Sequence, residues 1–332
     1  MTIVAAGSIA TDHLMVFPGR FADQLIEGDL KNISLSFLAD HLDVRRGGVA
    51  ANIGFGLGQL GLKPVLVGSA GTDFAEYGDW LGAHGVDTSY VTISEDKHTA
   101  RFVCTTDVDQ NQIATFYAGA MNDAGDIDLG RVVRALDVEI VIVSPDAPAA
   151  MLRHTTFCRE HGVRFAADPS QQMARLDGEE IRQLVDGAAY LFTNAYESEL
   201  LRKKTGWSID DVLARVGTWV TTKGASGVSI LQSGRRTVEV GVVEATTVAD
   251  PTGVGDAFRA GFIGGMSRGL DHEAAAQLGS AIAAHVVETV GTQEYQLTRV
   301  TLIDRIRATY GDQSAAGIEA ALLWGMAGTA VG

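Results

Sequence analysis

The stretch that decides the fold is DPTGVGDAFRAGFIGG, residues 250–265. Gly253 and Gly255 flank Val254, Asp256 follows at once, and a run of small and apolar residues typical of a helix comes next. Glycines let backbone amides approach an anion closely, and a helix N-terminus directs its free amides at the same point. The stretch therefore predicts an anion site at these glycines and at the start of the helix that follows them.

A carboxylate beside such a site needs its own explanation, because Asp256 would repel an anion if it served as a binding group. We interpret it as a general base that accepts the proton of a substrate hydroxyl while that oxygen attacks a phosphoryl group held on the amides. The simpler alternative is a helix-terminal Asp that is favoured by the helix dipole. The glycines and the position of Asp256 favour the base.

Short apolar runs alternate with helical patterns over most of the chain. Runs such as TIVAAGS (residues 2–8) and VEIVIVSPD (residues 138–146) are apolar on both faces, as central parallel strands are. Helices are predicted over residues 49–60, 73–84, 128–136, 149–161, 178–187, 196–205 and 208–215, and helices dominate from residue 255 onward. The alternation predicts an α/β fold with a mostly parallel central sheet.

Two segments, residues 11–46 and 98–118, interrupt this alternation. The second alternates around the polar turn DVDQNQ, which indicates a hairpin. We predict that both segments form a small antiparallel β lid on a single domain covering residues 1–332. The exposed edge of such a lid suits pairing with a second copy, so a homodimer through the lid is also predicted.

Composition limits the partners and the compartment. The chain has 332 residues and a net charge of −15, so no basic surplus exists to neutralise nucleic acid or an anionic membrane. Two cysteines make no disulfide framework, which favours a reducing cytoplasm. The N-terminal residues MTIVAAGSIATDHLM have no basic region and indicate a buried strand rather than a signal peptide.

One glycine pattern does not fit the site that it resembles. GFGLGQLG, residues 54–61, has the G-x-G-x-x-G spacing of dinucleotide sites. That fingerprint must follow a strand and open a helix, whereas here it ends a helical stretch and precedes a strand. The sequence therefore argues against nicotinamide or flavin binding.

Four motifs together resemble the PfkB, or ribokinase-like, family of carbohydrate and nucleoside kinases. They are RRGGVAANIGFGLGQLG (residues 45–61), TNAYE (residues 193–197), VTTKGASGV (residues 220–228) and DPTGVGDAFRAGF (residues 250–262). The resemblance implies a three-layer α/β sandwich with a β lid, and ATP with Mg²⁺ as the phosphoryl donor. It gives Asp256 the role of base and makes the amides of residues 253–255 the anion hole.

The same resemblance assigns the nucleotide side of the site. It implies that Asn194 and Glu197 shape the Mg²⁺–phosphate region, with Glu197 acting through water, and that ATP lies along Thr222, Gly224 and Gly227. The segment ETVGTQ, residues 288–293, is similar to one that holds a monovalent cation such as K⁺ in many members. Gly291 would supply a carbonyl to that cation.

The motifs say less about which residues bind the substrate. By position in the family, Ser8, Asp12, Gly48 and Asn52 would hold the hydroxyls of a ribose, although an isolated Asp12 could equally be a turn or capping residue.

The lid and one loop carry residues suited to a base. Phe102 and Phe116 stand on the two arms of the predicted hairpin and would sandwich a flat purine, unless they only pack the lid against the body. In DPSQQMARL, residues 168–176, Gln171 and Gln172 match a purine edge or ribose hydroxyls. Arg175 either lies over the substrate or is an ordinary surface charge.

Within the family, GSIATDHLM, DPSQQ, GEEIR and GAAYLFTN resemble the adenosine kinases of mycobacteria and related actinobacteria. That likeness implies transfer of phosphate from ATP to the 5′-hydroxyl of adenosine, a step of purine salvage. The alternatives are a kinase of ribose, another sugar or another nucleoside, and a ligand-binding protein without catalysis. The presence of Asp256, Gly253 and Gly255 disfavours the last of these.

Overall fold

A computed structural model describes residues 1–24 and 36–322. The strands, numbered along the chain, are β1 (Thr2–Ala6), β2 (Ala10–Val16), β3 (His41–Gly47), β4 (Val65–Ala70), β5 (Val91–Ile93), β6 (Ala100–Thr106), β7 (Gln112–Tyr117), β8 (Val138–Val143), β9 (Phe165–Ala167), β10 (Tyr190–Asn194), β11 (Thr218–Thr222), β12 (Val228–Leu231) and β13 (Val238–Val240). The helices are α1 (Val49–Gln59), α2 (Ala75–Ala83), α3 (Leu129–Ala135), α4 (Pro148–His161), α5 (Gly178–Val185), α6 (Ala195–Thr205), α7 (Ile209–Leu213), α8 (Val254–Ser267), α9 (His272–Val287), α10 (Arg299–Tyr310) and α11 (Asp312–Leu322).

The main sheet is mostly parallel, as predicted. Its order is β13-β12-β11-β10-β9-β8-β1-β4-β5, and the seven strands from β11 to β5 all run parallel. β12 and β13 are antiparallel additions at one end. Every helix predicted from the sequence lies within a few residues of its observed bounds. The strands β5 and β13, which form the two edges of the sheet, were missed; each is only three residues long and lacks the continuous apolar run of a central strand.

The central strands bury both faces, and this produces three layers. In β1, Val4 and Ala6 pack on one side with α3, α4, α5 and α6, while Ile3 and Ala5 face the side covered by α1, α8 and α9. Successive side chains of a strand point to opposite faces, so an unbroken apolar run needs a helix layer on each side. The predicted three-layer sandwich is confirmed.

The small sheet, which we call the lid, has the order β3-β2-β6-β7. The outer pairs β2–β3 and β6–β7 are antiparallel, and the two pairs join through a parallel contact between β2 and β6. The strands fall in the predicted segments 11–46 and 98–118, although residues 25–35 of the first lie outside the described part of the chain. The single domain over residues 1–332 stays a prediction.

Helices α8 and α9 meet at backbone distance. A Cβ on Gly261 would lie 2.5 Å from the Cα of Gly279, and a Cβ on Gly279 would lie 2.7 Å from the carbonyl oxygen of Phe258. Both distances are too short for a methyl group, so these two positions require glycine. The contact anchors the helix that carries Asp256 against the body of the protein.

The glycines of residues 54–61 have a packing role. They lie in and just after α1, ahead of β4, as the sequence argument against a dinucleotide site required. A Cβ on Gly56 would lie 2.6 Å from the Cβ of Ala260, and one on Gly58 would lie 2.0 Å from the carbonyl oxygen of His84. They let α1 approach α8 and the end of α2.

Two further observations bear on the sequence predictions. Cys104 and Cys158 are both free and buried. Within residues 1–24 and 36–322, none of the helices combines the length and the apolar character needed to cross a bilayer.

Candidate active site

A cleft of about 540 Å³ opens between the lid and the carboxyl ends of β1, β8 and β9. This is the edge of a parallel sheet at which α/β proteins commonly bind ligands. The predicted residues that line it are Ser8, Asp12, Gly48, Asn52, Phe102, Phe116, Gln171, Gln172, Arg175, Gly253 and Asp256. Residues at this cleft that were not predicted include Met121, Pro145, Thr252 and Thr292.

The start of α8 has the geometry of an anion site. Its N-cap, Gly253, has φ of 75°, and a Cβ there would lie 2.8 Å from Cγ2 of Thr292, so both conformation and space require glycine. The first helical hydrogen bond runs from the Ala257 amide to the Gly253 carbonyl at 2.9 Å. The amides of Val254 and Gly255 precede that bond, and therefore have no acceptor within the helix.

Asp256 lies in the first turn of α8, half-buried at the wall of the cleft. The Nδ2 group of Asn52 donates a hydrogen bond to Oδ2 of Asp256 at 2.9 Å. Burial raises the pKa of Asp256 to about 6, against the opposite effects of the Arg259 charge and the Asn52 hydrogen bond. Asp256 is thus ionised near neutral pH with a pKa close enough to neutrality for proton transfer, as a general base requires.

The amide of Asn52 has only one possible orientation. Its Oδ1 accepts a hydrogen bond from Nε2 of Gln293 at 2.9 Å and also lies 2.9 Å from the hydroxyl of Thr292. Because the amide oxygen is engaged by these donors, its nitrogen must face Asp256. Asn52 therefore presents a donor to one carboxylate oxygen and leaves the other for a substrate.

Gln293 is held in turn by Tyr77. Its Nε2 group donates to the Tyr77 hydroxyl at 2.5 Å, and that hydroxyl donates to the carbonyl of Gly47 at 2.8 Å. Burial raises the pKa of Tyr77, which keeps it protonated as a donor. Gly47 ends β3, so hydrogen bonds run without a break from the base of the lid to Asp256.

The sugar side of the cleft is built from the ends of β1 and β3. Gly48 has φ of 94°, and a Cβ there would lie 2.6 Å from the Ser8 carbonyl oxygen, so this turn also requires glycine. Ser8 accepts the Val49 amide at 3.0 Å through its Oγ. Asp12, on β2, is mostly buried, and desolvation followed by the charge of Asp250 raises its pKa to about 6.

Phe102 and Phe116 both line the cleft, but they do not form the predicted sandwich. They are directly opposed residues of the antiparallel pair β6–β7. Directly opposed residues project from the same face of a sheet, so the two rings stand side by side as one wall. The prediction of two facing plates was wrong because a hairpin places cross-strand partners on one surface.

The loop after β9 supplies polar groups. Ser170 has the unusual φ of 42°, and its hydroxyl donates to Oε1 of Gln171 at 2.8 Å. Oε1 of Gln172 is buried without a hydrogen-bond partner. Because this oxygen is not accessible even to water, a ligand donor would reach it only after the Gln172 side chain changed rotamer. Arg175 lines the same cleft.

A buried ion pair lies beside Asp256, and the sequence analysis assigned a role to neither partner. Arg259, 6% exposed, contacts the fully buried Asp168 through both edges of its guanidinium, with Nε–Oδ2 of 2.6 Å and Nη2–Oδ1 of 2.7 Å. Burial raises the pKa of Asp168, and the guanidinium opposes that rise. The sequence signal was an arginine three residues after Asp256 in a helix otherwise made of small and apolar residues.

The residues expected to hold a nucleotide lie at the next two strand ends. Asn194 and Thr222 are register partners at the carboxyl ends of β10 and β11. Gly224 and Gly227 follow β11, and a Cβ on Gly224 would meet nothing within 4 Å. This open edge fits a nucleotide laid across the strand ends beside the start of α8.

Glu197 has a structural partner that the sequence analysis did not foresee. It forms a capping box with Asn194, in which Glu197 Oε2 accepts the Asn194 amide at 2.7 Å and Asn194 Oδ1 accepts the Glu197 amide at 2.8 Å. In the described residues no cluster of three His, Cys, Asp or Glu side chains could bind a metal alone. The residues present fit Mg²⁺ held mainly by phosphates and water, with the second oxygen of Glu197 available to accept a hydrogen bond from one of those waters.

The monovalent cation expected at the carbonyl of Gly291 stays a prediction, and the hydrogen bond that Gly291 makes here involves its amide. The Gly291 amide donates to Oδ2 of Asp250 at 3.1 Å, and the Thr252 amide donates to Oδ1 at 2.9 Å. Nη1 of Arg45 lies 3.6 Å from the same Oδ2. Positive charge at this carboxylate already comes from the protein.

Comparison with known proteins gives the family. The model of the pfkB family carbohydrate kinases matches residues 10–299. The nucleoside kinase of Methanocaldococcus jannaschii is 30% identical over 263 residues, which are 78% of this chain and 85% of that protein. Its crystal structure has a TM-score of 0.81, with 27% identity over 92% of this chain and 98% of that one.

A bacterial relative is more similar in sequence. The structure of Burkholderia thailandensis nucleoside kinase in complex with inosine is 35% identical, has a TM-score of 0.81, and covers 94% of this chain and 99% of that one. These relatives are nucleoside kinases rather than actinobacterial adenosine kinases, so the finer resemblance is supported only at the level of the family. The chain belongs to the PfkB family of carbohydrate kinases.

Proposed function

We propose that the protein is an ATP-dependent nucleoside kinase that phosphorylates the 5′-hydroxyl of adenosine. The observation that carries the proposal is one cleft that is lined both by the half-buried Asp256 at a helix N-terminus and by an aromatic wall made of Phe102 and Phe116. A nucleoside has the three parts that such a cleft can contact: a primary hydroxyl, a polar sugar and a flat base.

The sugar would be oriented by the groups between the base and the lid. Asp12 accepts hydrogen bonds from ribose hydroxyls, while Ser8 and Asn52 add polar atoms around the ring. The fixed orientation of Asn52 leaves one Asp256 oxygen for the 5′-hydroxyl. Holding that hydroxyl beside its base lowers the entropic part of the barrier.

The transferring phosphoryl group would lie on the amides at the start of α8. Those amides are present before charge develops, so they stabilise the transition state without reorganising. Asn194, Thr222, Gly224 and Gly227 would border ATP, and Glu197 would reach Mg²⁺ through water. Bound Mg²⁺ neutralises the charge of the phosphates. Asp256 takes the proton of the 5′-hydroxyl as its oxygen attacks.

The unpaired oxygen of Gln172 favours adenosine as the substrate. A rotamer that turned this oxygen into the cleft would let it accept a hydrogen bond, and the exocyclic amine of adenine supplies two N–H donors. Gln171 keeps its amide nitrogen free because Ser170 occupies its oxygen. The pair thus offers one acceptor and one donor to a purine edge.

A second candidate is a nucleoside kinase of broader range. The B. thailandensis relative was solved with inosine, and a glutamine amide can present either its oxygen or its nitrogen to a purine. The same pair could therefore contact hypoxanthine through its carbonyl.

The test is ADP release with MgATP and adenosine, inosine, guanosine, cytidine, ribose or fructose 6-phosphate. We expect adenosine to give the highest kcat/KM and Asp256→Asn to abolish turnover with it. Comparable values for adenosine and inosine would favour the broader enzyme. Turnover with ribose or the phosphosugar alone would refute the nucleoside assignment.

We also propose that the protein forms a homodimer through the lid. Every residue of the edge strand β7 is exposed, as are Leu42 and Val44 on β3 at the opposite edge. Exposed edges of this kind pair readily with another strand. Light scattering of the purified protein should give twice the chain mass, and a replacement of Ile113 by Lys should return it to the monomer.

A further inference from the structure

The buried pair of Asp168 and Arg259 lies where it can act on the proposed base. Arg259 is three residues beyond Asp256 on α8, so both side chains project from one side of the first helical turns. A Cβ on Gly255 would lie 2.7 Å from Nη1 of Arg259, which puts the guanidinium against the turn that precedes Asp256. Nε and Nη2 face Asp168, while Nη1 faces this turn.

Burying the ion pair of Asp168 and Arg259 carries a cost in folding free energy. Removing two charges from water carries a large desolvation penalty, and buried ion pairs are often no more stable than apolar replacements. A helix made of small and apolar residues could fill this space with a methionine or leucine. The positive charge must therefore be explained by what it faces.

We propose that Arg259 is a positioning residue for Asp256. Asp168 holds the Arg259 side chain in place and limits how strongly its charge acts on Asp256. The charge of Arg259 favours the ionised form of the base, whereas the charge of Asp168 withdraws part of that effect. The pair thus sets the pH range in which the base is ready to accept a proton. This inference rests on the proposed function.

Other charged groups near the base are few. The charge of Glu197 on α6 also acts on the Arg259 guanidinium. Tyr295, in the loop after α9, is buried near Asp256 and stays protonated, because burial and the Asp256 charge raise its pKa. Asp12 faces the cleft from β2, and Asn52 on α1 is neutral. Arg259 is the only cation that lowers the pKa of Asp256 among the described residues.

The two partners give opposite predictions for the pH profile. The acid limb of kcat/KM for adenosine, at saturating MgATP, reports the ionisation of the base. Arg259→Met should move that limb to higher pH by about one unit or more, the size typical of a lost opposite charge. Asp168→Asn should move it to lower pH, because the charge of Asp168 then no longer offsets the effect of the guanidinium on Asp256.

Arg259→Lys separates charge from geometry. It keeps the positive charge but loses the planar fork that contacts both oxygens of Asp168. We expect its acid limb to stay near that of the parent enzyme while kcat falls. If the pair is purely structural, all three variants should have a lower melting temperature and the acid limb of kcat/KM should not shift. That result would overturn the proposal, and so would a shift of the limb in the same direction in Arg259→Met and Asp168→Asn.

A measurement without substrate separates this inference from the proposed function. Asp256→Asn removes the half-buried negative charge, so it should stabilise the protein more in the Arg259→Met background than in the parent background. Urea unfolding of the parent, both single variants and the double variant at pH 7.5 measures that coupling. Equal gains in both backgrounds would refute coupling between Arg259 and Asp256, even if no nucleoside is turned over.

Discussion

Replacing Asp256 with Asn should abolish turnover and stabilise the fold at the same time. The carboxylate is half-buried at the cleft, and desolvation raises its pKa from 3.8 to about 6. That difference corresponds to about 3 kcal/mol of unfavourable free energy for the ionised form in the folded state. Asn has nearly the same shape and can still accept the hydrogen bond from Asn52, so the variant removes the charge with little change in packing.

The sign of the effect fixes its pH window. Below pH 3.8 the group is protonated in both the folded and the unfolded state, and it costs nothing. Between pH 3.8 and about 6 the unfolded chain loses the proton while the folded chain keeps it, so the penalty grows, and above about pH 6 it is complete. Asp256→Asn should therefore be more stable than the parent by up to about 3 kcal/mol at pH 7.5, and by much less at pH 4.5.

Turnover should move the other way. Loss of a general base costs about 10²- to 10⁴-fold, so we expect kcat with adenosine to fall by about a thousandfold or more. The assays are urea unfolding at pH 4.5 and 7.5 and ADP release at pH 7.5. Near-normal turnover would refute the role of base, and a stability gain of equal size at both pH values would refute the argument from burial.

Asp146 provides the matched control. It is 1% exposed, and burial raises its pKa to about 7, but it does not line the cleft. Asp146→Asn should therefore also stabilise the protein at pH 7.5 while keeping turnover within a small factor of the parent. A large loss of turnover in this variant would show that removing any buried charge near the strand ends disrupts the enzyme.

Four further predictions follow from the site. Phe116→Ala should raise the KM for adenosine by about tenfold or more, since stacking on an aromatic ring is worth about 1–3 kcal/mol per base, and it should leave the KM for ATP unchanged. Tyr117→Ala, on the other face of the lid sheet, is the control. Equal effects of the two substitutions would contradict a stacking role. Gly253→Ala should reduce kcat by about a hundredfold, because a methyl group there displaces the anion site; a nearly normal kcat would exclude that site from the reaction. Gln293→Leu should lower kcat more than it changes KM, as it releases the oriented amide of Asn52, and steady-state kinetics will show whether KM changes instead. Replacing K⁺ with tetramethylammonium tests the cation predicted at the Gly291 carbonyl: turnover should fall, and unchanged turnover would refute that site.

The sequence predicted those parts of the site that lie within local motifs. Asp256 and the amides around it are consecutive residues, and the glycines that shape the turn are needed by the backbone itself. The three layers of the fold follow from continuous apolar runs, because such a run places apolar side chains on both faces of the sheet and each face then needs a covering layer of helices. Such features depend on neighbours in the chain, and a sequence displays neighbours directly.

The contacts that orient the base were not predictable in this way. Gln293 reaches Asn52 across 241 positions of the chain, and Arg259 reaches Asp168 across 91. None of these side chains shows a period or a spacing that distinguishes it from an ordinary polar residue. The aromatic wall was misjudged for a related reason, since the identity of Phe102 and Phe116 was informative but their common face depends on strand register.

The glycine contact between α8 and α9 and the exposed lid differ in how freely their sequences can change. Gly261 and Gly279 admit no side chain, so the helix that carries the chemistry is fixed in place by an interface with no tolerated variants. The lid has the opposite character, because β7 is exposed along its whole length and can exchange residues without disturbing the core. New substrates can therefore evolve through the lid while the phosphoryl transfer machinery is inherited unchanged.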